Sequence, residues 1–165
     1  MLRNYTVNAK GHLEIGGVDA VELAEQYGTP LYVLNADMVV ERARAFQKAM
    51  AKYYPQGEVI YASKALFSGA VAKLLKETGV SIDVVSGGEL FVALKAGFPP
   101  ERIFFHGNNK TPQELEMAVK NGVGTVVVDN WHELSVLNEV AGGLGKKQKI
   151  YLRVAPGIHA NTHVH

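Results

Sequence analysis

The sequence predicts an α/β fold in which parallel strands alternate with helices. Short runs of β-branched and aromatic residues begin near Glu58, Ser81, Ile103, Thr125 and Lys149, so that successive starts lie 23, 22, 22 and 24 residues apart. This period fits one strand plus one helix. Amphipathic stretches fill the intervals, and each stretch ends at or near a glycine, as helices commonly do.

The part of the chain before this repeat has a different pattern. It predicts an amphipathic helix over residues 18–27, a strand over 28–34 and a long helix over 37–54, the last supported by apolar residues at helical spacing. We therefore divide the chain into an N-terminal segment, residues 1–34, and a series of βα units, residues 35–165.

Four further helices are predicted within the repeat, over residues 66–78, 88–96, 112–121 and 131–141. Ser86 with Glu89, and Thr111 with Glu114, have the spacing of capping boxes, and Asn130 begins a weaker version. These caps directly follow strands. Strand C-termini and helix N-termini should therefore gather on one face, where backbone N–H groups can bind anions.

Composition narrows the class of protein. An apolar share of 47% with 20% charged residues indicates a globular domain, and a net charge of +1 argues against a nucleic-acid partner. Because there is no cysteine, disulfides, thiol nucleophiles and cysteine metal sites are excluded, and no other metal site is expected. No window approaches the ~20 apolar residues of a membrane span. We expect a cytoplasmic protein without a membrane partner.

Lys64 is the first candidate for chemistry. It follows the apolar strand that begins near Glu58, on the face where the capped helices begin. A lysine that is partly desolvated at such a position can form a Schiff base with an aldehyde cofactor. By position alone, a lysine that extends from a strand end into solvent is the simpler interpretation.

Five ordered segments resemble one protein family. They are Gly-Thr-Pro-Leu-Tyr-Val at 28–33, Tyr-Ala-Ser-Lys-Ala at 61–65, Asp-Val-Val-Ser-Gly-Gly-Glu-Leu at 83–90, Phe-His-Gly-Asn-Asn-Lys at 105–110, and Arg-Val-Ala-Pro-Gly-Ile-His-Ala-Asn-Thr-His at 153–163. Together they resemble the fold-type III pyridoxal-phosphate enzymes, which have alanine-racemase-like barrels, and in particular the amino-acid decarboxylases that act on meso-diaminopimelate. The implied fold is a partial (β/α)8 TIM-type barrel, since eight strands are needed for closure.

The resemblance also implies roles for individual residues. Pyridoxal 5'-phosphate is the implied cofactor, and Lys64 is the catalytic lysine that holds it as a Schiff base. His163 is implied to stack on the cofactor ring. Asp83 and Arg153 are implied to lie near the cofactor, with a structural ion pair, between them or with other partners, as the alternative. His106, at a strand end, either touches the cofactor or supports a loop.

The implied reaction is decarboxylation of meso-2,6-diaminopimelate to L-lysine, the last step of lysine biosynthesis, with a small amino acid as substrate and a homodimer as the assembly. Two alternatives stay open: a related decarboxylase of ornithine, arginine or carboxynorspermidine, and a non-catalytic pyridoxal-phosphate-binding barrel. The repeat stops after a strand that no helix covers. We therefore expect a truncated barrel that lacks the family's C-terminal β domain and is inactive by itself.

Overall fold

A computed structural model describes residues 5–157 of the chain. It divides into two compact units, Met1–Val59 and Ile60–His165. None of the helices within residues 5–157 has the length and the apolar composition that a membrane span requires.

The first unit combines a small antiparallel sheet with two helices. Its strands lie in the order β1-β2-β3, and the first helix begins where the third strand ends. The elements are β1 (Tyr5–Val7), β2 (Leu13–Ile15), β3 (Val18–Asp19), α1 (Ala20–Tyr27) and α2 (Ala36–Tyr53). Both predicted helices of this region are therefore confirmed, α1 with a start that is two residues later than expected.

Asp19 is the residue that joins the small sheet to α1. Its carboxylate accepts hydrogen bonds from the backbone N–H of Val21 at 2.8 Å and from the side-chain amide of Asn8 at 2.8 Å, and it lies 2.9 Å from His12 Nδ1. Burial acts to raise the pKa of Asp19, but these hydrogen bonds outweigh it and lower the pKa to about 2. The carboxylate thus caps α1 in its charged form.

The strand predicted over residues 28–34 is wrong. The segment is irregular and contains a cis peptide bond between Thr29 and Pro30, and the side chain of Tyr32 is fully exposed. A strand exists only where its backbone groups bond to a neighbouring strand. No strand of the first unit within residues 5–59 pairs with this segment.

The second unit is a parallel βα structure, as the 22- to 24-residue period predicted. Its five strands lie in sequence order and are all parallel, which confirms the α/β fold and the incomplete barrel. The strands are β4 (Ile60–Ala62), β5 (Ser81–Val84), β6 (Ile103–Phe105), β7 (Thr125–Val128) and β8 (Ile150–Leu152), and the helices are α3 (Gly69–Thr78), α4 (Gly87–Lys95), α5 (Pro112–Asn121) and α6 (Trp131–Gly143).

The first residues of the helices show which features the local sequence determines and which depend on tertiary contacts. At α5 the predicted capping box is confirmed, with Thr111 and Glu114 bonding reciprocally. At α4 the hydroxyl of Ser86 accepts from Glu89 N at 3.2 Å, but the Glu89 carboxylate bonds elsewhere, so only half of the predicted box forms. Helix α3 begins at Gly69 and not at residue 66, because Ser63–Ala65 forms a separate 3-10 turn.

The two faces of the parallel sheet differ in burial. Side chains alternate between faces along a strand, and the face toward the helices is fully buried, at 0% exposure for Ile82, Phe105 and Val126. The opposite face carries Asp83 and Phe104 at matched positions and Tyr151 further along, and the rings of Phe104 and Tyr151 lie 5.9 Å apart. This second face is less uniformly buried within residues 60–157, with Tyr151 49% exposed, and it presents polar groups near the strand ends.

Candidate active site

Lys64 lies in the 3-10 turn Ser63–Ala65, which directly follows β4. The preceding residue, Ser63, is 1% exposed, whereas Lys64 itself is exposed. Within residues 5–157 the amine of Lys64 is therefore accessible to a cofactor.

Asp83 and His106 form a pair beside this turn. Asp83 lies on β5 next to Ala62 of β4, and His106 follows β6, with its Nδ1 atom 3.5 Å from Asp83 Oδ2. The other polar atoms of the pair, Asp83 Oδ1 and His106 Nε2, are buried and have no hydrogen-bond partner among residues 5–157. Buried polar atoms in proteins are nearly always satisfied, so these two atoms indicate a place for a ligand.

The pKa of Asp83 depends on its half-buried position beside His106. Burial raises the pKa of its carboxyl above the ordinary value, and the opposing influence of His106 and Lys64 offsets that effect only in part. The side chain of Glu89 adds a further upward influence. Lys64 follows Ala62, the neighbour of Asp83 in the sheet, by two residues, and its charge acts to lower the pKa of Asp83. Lys64, Asp83 and His106 therefore form one cluster at the ends of β4, β5 and β6.

Arg153 does not pair with Asp83, which corrects one of the sequence-based expectations. Its Nη1 atom lies 2.7 Å from Asp129 Oδ1. Asp83 is on β5 and Arg153 follows β8, three strands along the sheet, so the two side chains cannot meet across residues 60–157. Arg153 lines a cavity of about 230 Å³ together with Trp131, a residue that is 81% exposed. His163 lies outside the described residues.

Glu89 was assigned only a capping role from the sequence, but it contacts the lysine turn. Its Oε2 atom accepts hydrogen bonds from Ser63 Oγ at 2.8 Å and from Val85 N at 2.7 Å. Ser63 immediately precedes Lys64, so this carboxylate fixes the turn that carries the lysine. The sequence pattern of a capping box gave no signal for that contact.

A regular pattern emerges when three helices are compared. The third residue of α4, α5 and α6 is a glutamate in each case, and each carboxylate reaches back to the preceding βα unit. The contacts join Glu89 to Ser63 Oγ at 2.8 Å, Glu114 to Gly87 N at 2.6 Å, and Glu133 to Lys110 Nζ at 2.8 Å. Negative charge is favourable at helix N-termini. These three contacts, which we call the glutamate links, therefore stabilise the face at the carboxyl ends of the strands.

The cluster has the chemical groups that an aldehyde cofactor with a polar ring requires. Lys64 supplies an exposed amine, and the pair of Asp83 and His106 supplies two unsatisfied polar atoms next to it. The N-terminal ends of the helices, which favour anions, lie on the same face. The residues present therefore fit a pyridoxal phosphate group.

Comparison with known proteins agrees with this chemistry. The family described as "Pyridoxal-dependent decarboxylase, pyridoxal binding domain" matches residues 36–165. The chain belongs to this family. It is 53% identical over 157 residues to the diaminopimelate decarboxylase of Bacillus methanolicus, covering 95% of this chain and 36% of that protein. Identity to the diaminopimelate decarboxylase of Bacillus subtilis (strain 168) is 51%, with 94% and 36% covered.

Solved structures show the same fold. The diaminopimelate decarboxylase from M. jannaschii superposes with a TM-score of 0.85 at 34% identity, over 97% of this chain and 38% of that chain. AQ1208 from Aquifex aeolicus also gives a TM-score of 0.85, at 44% identity, with 94% and 38% covered. The chain spans about a third of the length of the relatives that it matches.

Proposed function

We propose that the natural polypeptide that carries this sequence is a pyridoxal-phosphate-dependent decarboxylase that converts meso-2,6-diaminopimelate to L-lysine. The observation that carries the proposal is the cluster at the carboxyl ends of β4, β5 and β6, where Lys64 adjoins the unsatisfied pair of Asp83 and His106. The large majority of buried polar atoms in proteins have partners, so two unsatisfied atoms in one pair favour a role in ligand binding.

Each residue of the cluster has a definite task in this proposal. Lys64 would hold the cofactor covalently through its amine. Asp83 and His106 would orient the cofactor through their polar atoms. When bound, pyridoxal phosphate supplies an electron sink for the carbon atom from which carbon dioxide leaves.

Two further residues from the sequence analysis keep proposed roles. His163 is proposed to stack on the cofactor ring. Arg153 is proposed to bind near the cofactor from β8, where its pairing with Asp129 leaves it 53% exposed and within reach of a ligand. The exposed guanidinium favours an anionic group of the cofactor or the substrate.

The choice of substrate is supported by the degree of similarity. The curated diaminopimelate decarboxylases compared with this chain are 44–53% identical to it, and the solved one from M. jannaschii is 34% identical. The arginine decarboxylase of Paramecium bursaria Chlorella virus is 22% identical, which shows only a shared fold. Comparison of kcat/KM for meso-diaminopimelate, ornithine, arginine and carboxynorspermidine would test this part, and a preference for any of the last three would overturn it.

The attachment residue can be tested directly. The natural polypeptide is incubated with pyridoxal phosphate, reduced with borohydride and digested, and the pyridoxyl mass is expected on the peptide that contains Lys64. The Lys64→Ala variant should carry no such label. Lys73→Ala, which alters an exposed lysine on α3, is the matched control and should be labelled normally. A label on another lysine in the unmodified protein would contradict the proposal.

The same proposal includes the setting of the enzyme. We infer a homodimer in the cytoplasm that uses a small amino acid as its substrate. The family resemblance supports the dimer, and the absence of cysteine from these 165 residues suits a reducing compartment. Light scattering of the natural polypeptide would test the dimer, and a monomeric mass would exclude it.

A further inference from the structure

Lys110 is a buried cation that the proposed chemistry does not use. Its side chain is 1% exposed, and its Nζ atom donates to the carbonyl oxygens of Gly107 at 2.6 Å and Val127 at 2.9 Å. The same atom lies 2.8 Å from Glu133 Oε1, at ion-pair distance but without hydrogen-bond alignment. Lys110 therefore joins its own loop to β7 and to the first turn of α6.

The loop that Lys110 holds is the one that places His106. Gly107 has a φ of +106°, and a Cβ atom at this position would lie 2.8 Å from Val85 O, so the turn passes directly over the end of β5. Only glycine adopts this backbone without strain. The backbone N–H of His106 donates to Val84 O at 2.8 Å. These contacts set the imidazole beside Asp83.

We propose that Lys110 and Glu133 are positioning residues for the cofactor site, because they fix the turn at Gly107 and thereby hold His106 against Asp83. The inference rests on the proposed function, since the pair that it serves is the pair assigned to the cofactor. Neither Lys110 nor Glu133 is itself assigned to touch the cofactor.

A purely structural ion pair would behave differently from a positioning pair. Removal of one partner of a buried pair leaves an uncompensated charge and destabilises the protein, whereas replacement of both by apolar residues often restores stability. A positioning role also requires that the carbonyl oxygen of Gly107 accepts a hydrogen bond from a fixed donor, which an apolar pair cannot provide. A double variant with two apolar residues therefore distinguishes the structural role from the positioning role.

The first measurement uses the cofactor-free natural polypeptide with 15N-labelled histidine. The imidazole signals of His106 are identified by their loss in His106→Gln. Lys110→Met and Glu133→Gln are both expected to shift these signals toward those of the Asp83→Asn variant, because the contact with Asp83 loosens. Should Lys110→Met fail to fold, Glu133→Gln and the double variant give the same reading.

Lys146→Met is the matched control. Lys146 also donates its Nζ atom to two backbone carbonyls, those of Val119 at 3.0 Å and Lys120 at 2.8 Å, but it lies at the opposite ends of the strands. This variant is expected to lower the melting temperature without moving the His106 signals. A general loss of stability is thereby separated from a local change at His106.

The second measurement is the dissociation constant for pyridoxal phosphate. For Lys110→Met we expect an increase of about tenfold, by analogy with the loss of a residue that orients a ligating side chain in metal sites. The double variant Lys110→Met/Glu133→Leu is expected to regain melting temperature but not affinity.

Two results would overturn the inference. One is a His106 signal in Lys110→Met that equals that of the unmodified protein, and the other is a double variant that regains both melting temperature and affinity. Failure of the proposed function is distinguishable from either. In that case Lys64 takes up no pyridoxyl label in the unmodified protein, while Lys110→Met still shifts the His106 signals and the positioning geometry stands.

Discussion

At both ends of the parallel sheet in the second unit, charged side chains bond to neighbouring elements. These side chains are acidic at the carboxyl ends of the strands and basic at the amino ends. At the carboxyl ends, glutamates at the third position of α4, α5 and α6 reach back to the preceding unit. At the amino ends, cations bond to carbonyl groups of earlier elements. Arg102 donates to Lys76 O at 3.1 Å and Val80 O at 3.3 Å, and Lys146 donates to carbonyls of α5.

The difference between the two ends of the sheet separates contacts that contribute only to stability from groups that contribute to function. Acidic groups suit helix N-termini and basic groups suit helix C-termini, so both ends gain stability from their links. Among residues 60–157, however, the buried polar side-chain atoms without a hydrogen bond, on Asp83, His106 and Glu133, all lie at the carboxyl end. Links between neighbouring units occur at both ends and therefore do not mark the site, whereas the unsatisfied pair of Asp83 and His106 occurs only at the carboxyl end of the described residues 60–157.

The largest expected effect separates the two ends by activity. Lys64→Ala in the natural polypeptide should lower kcat/KM by about a thousandfold or more, because a covalent anchor is removed. Lys146→Ala should leave kcat/KM within about twofold, since it loses only bonds to carbonyls. Steady-state kinetics of lysine release measures both, and comparable losses in the two variants would erase the distinction between the ends.

The next effect concerns the stability of the links themselves. Glu114→Ala removes bonds to the N-termini of α4 and α5 and should cost about 1–3 kcal/mol in the free energy of unfolding. Lys146→Ala should cost about 1 kcal/mol, since Lys146 is exposed. Urea denaturation of both variants tests the order, and a larger loss for Lys146→Ala would reverse the comparison.

The Glu114 link should also depend on pH. Burial acts to raise the pKa of Glu114, but hydrogen bonds from the backbone N–H groups of Thr111 and Gly87 lower it below the ordinary value. Its contribution to stability is therefore complete above the ordinary pKa and is lost as pH falls through the lower pKa of the folded state. The difference in stability between the unmodified protein and Glu114→Ala should shrink in acid, and a constant difference would argue against the link.

A smaller effect of opposite sign is expected at Asp83. Because burial raises its pKa in the folded state, the stability that this group contributes is present below the ordinary pKa and is lost as pH rises through the folded-state pKa. At neutral pH, Asp83→Asn should therefore raise the free energy of unfolding slightly while cofactor affinity falls. Loss of both stability and affinity would mean that Asp83 supports the fold.

The smallest effect provides a baseline away from both ends. Glu116 and Lys120 form an exposed ion pair one turn apart on α5, with 2.9 Å between Oε1 and Nζ. Lys120→Ala should change the free energy of unfolding by only about 0.3–0.5 kcal/mol. Urea denaturation in low and high salt would show it, and a change as large as that of Glu114→Ala would mean that the links at the sheet ends have no special weight.

Local signals in the sequence predicted most of the second unit. Helix α5 is an example, because Thr111 and Pro112 define its start and Gly122 its end through backbone preferences of adjacent residues. The segment 28–34 was mispredicted because strand formation depends on a pairing partner that local pattern does not reveal. Likewise the partner of Arg153 and the contact from Glu89 to Ser63 depend on which βα units become neighbours in the fold. The capping pattern that includes Glu89 has the same sequence whether or not the contact with Ser63 forms.

The exposed indole of Trp131 has a practical consequence. It is the single tryptophan of these 165 residues, and it stands at the first turn of α6, at the carboxyl ends of the strands. Tryptophan emission overlaps the absorbance of pyridoxal compounds, so cofactor uptake should quench its fluorescence by energy transfer. The difference in fluorescence between the natural polypeptide and a Trp131→Phe variant would isolate the signal of this residue. It would report how much of the protein has bound cofactor without any added label.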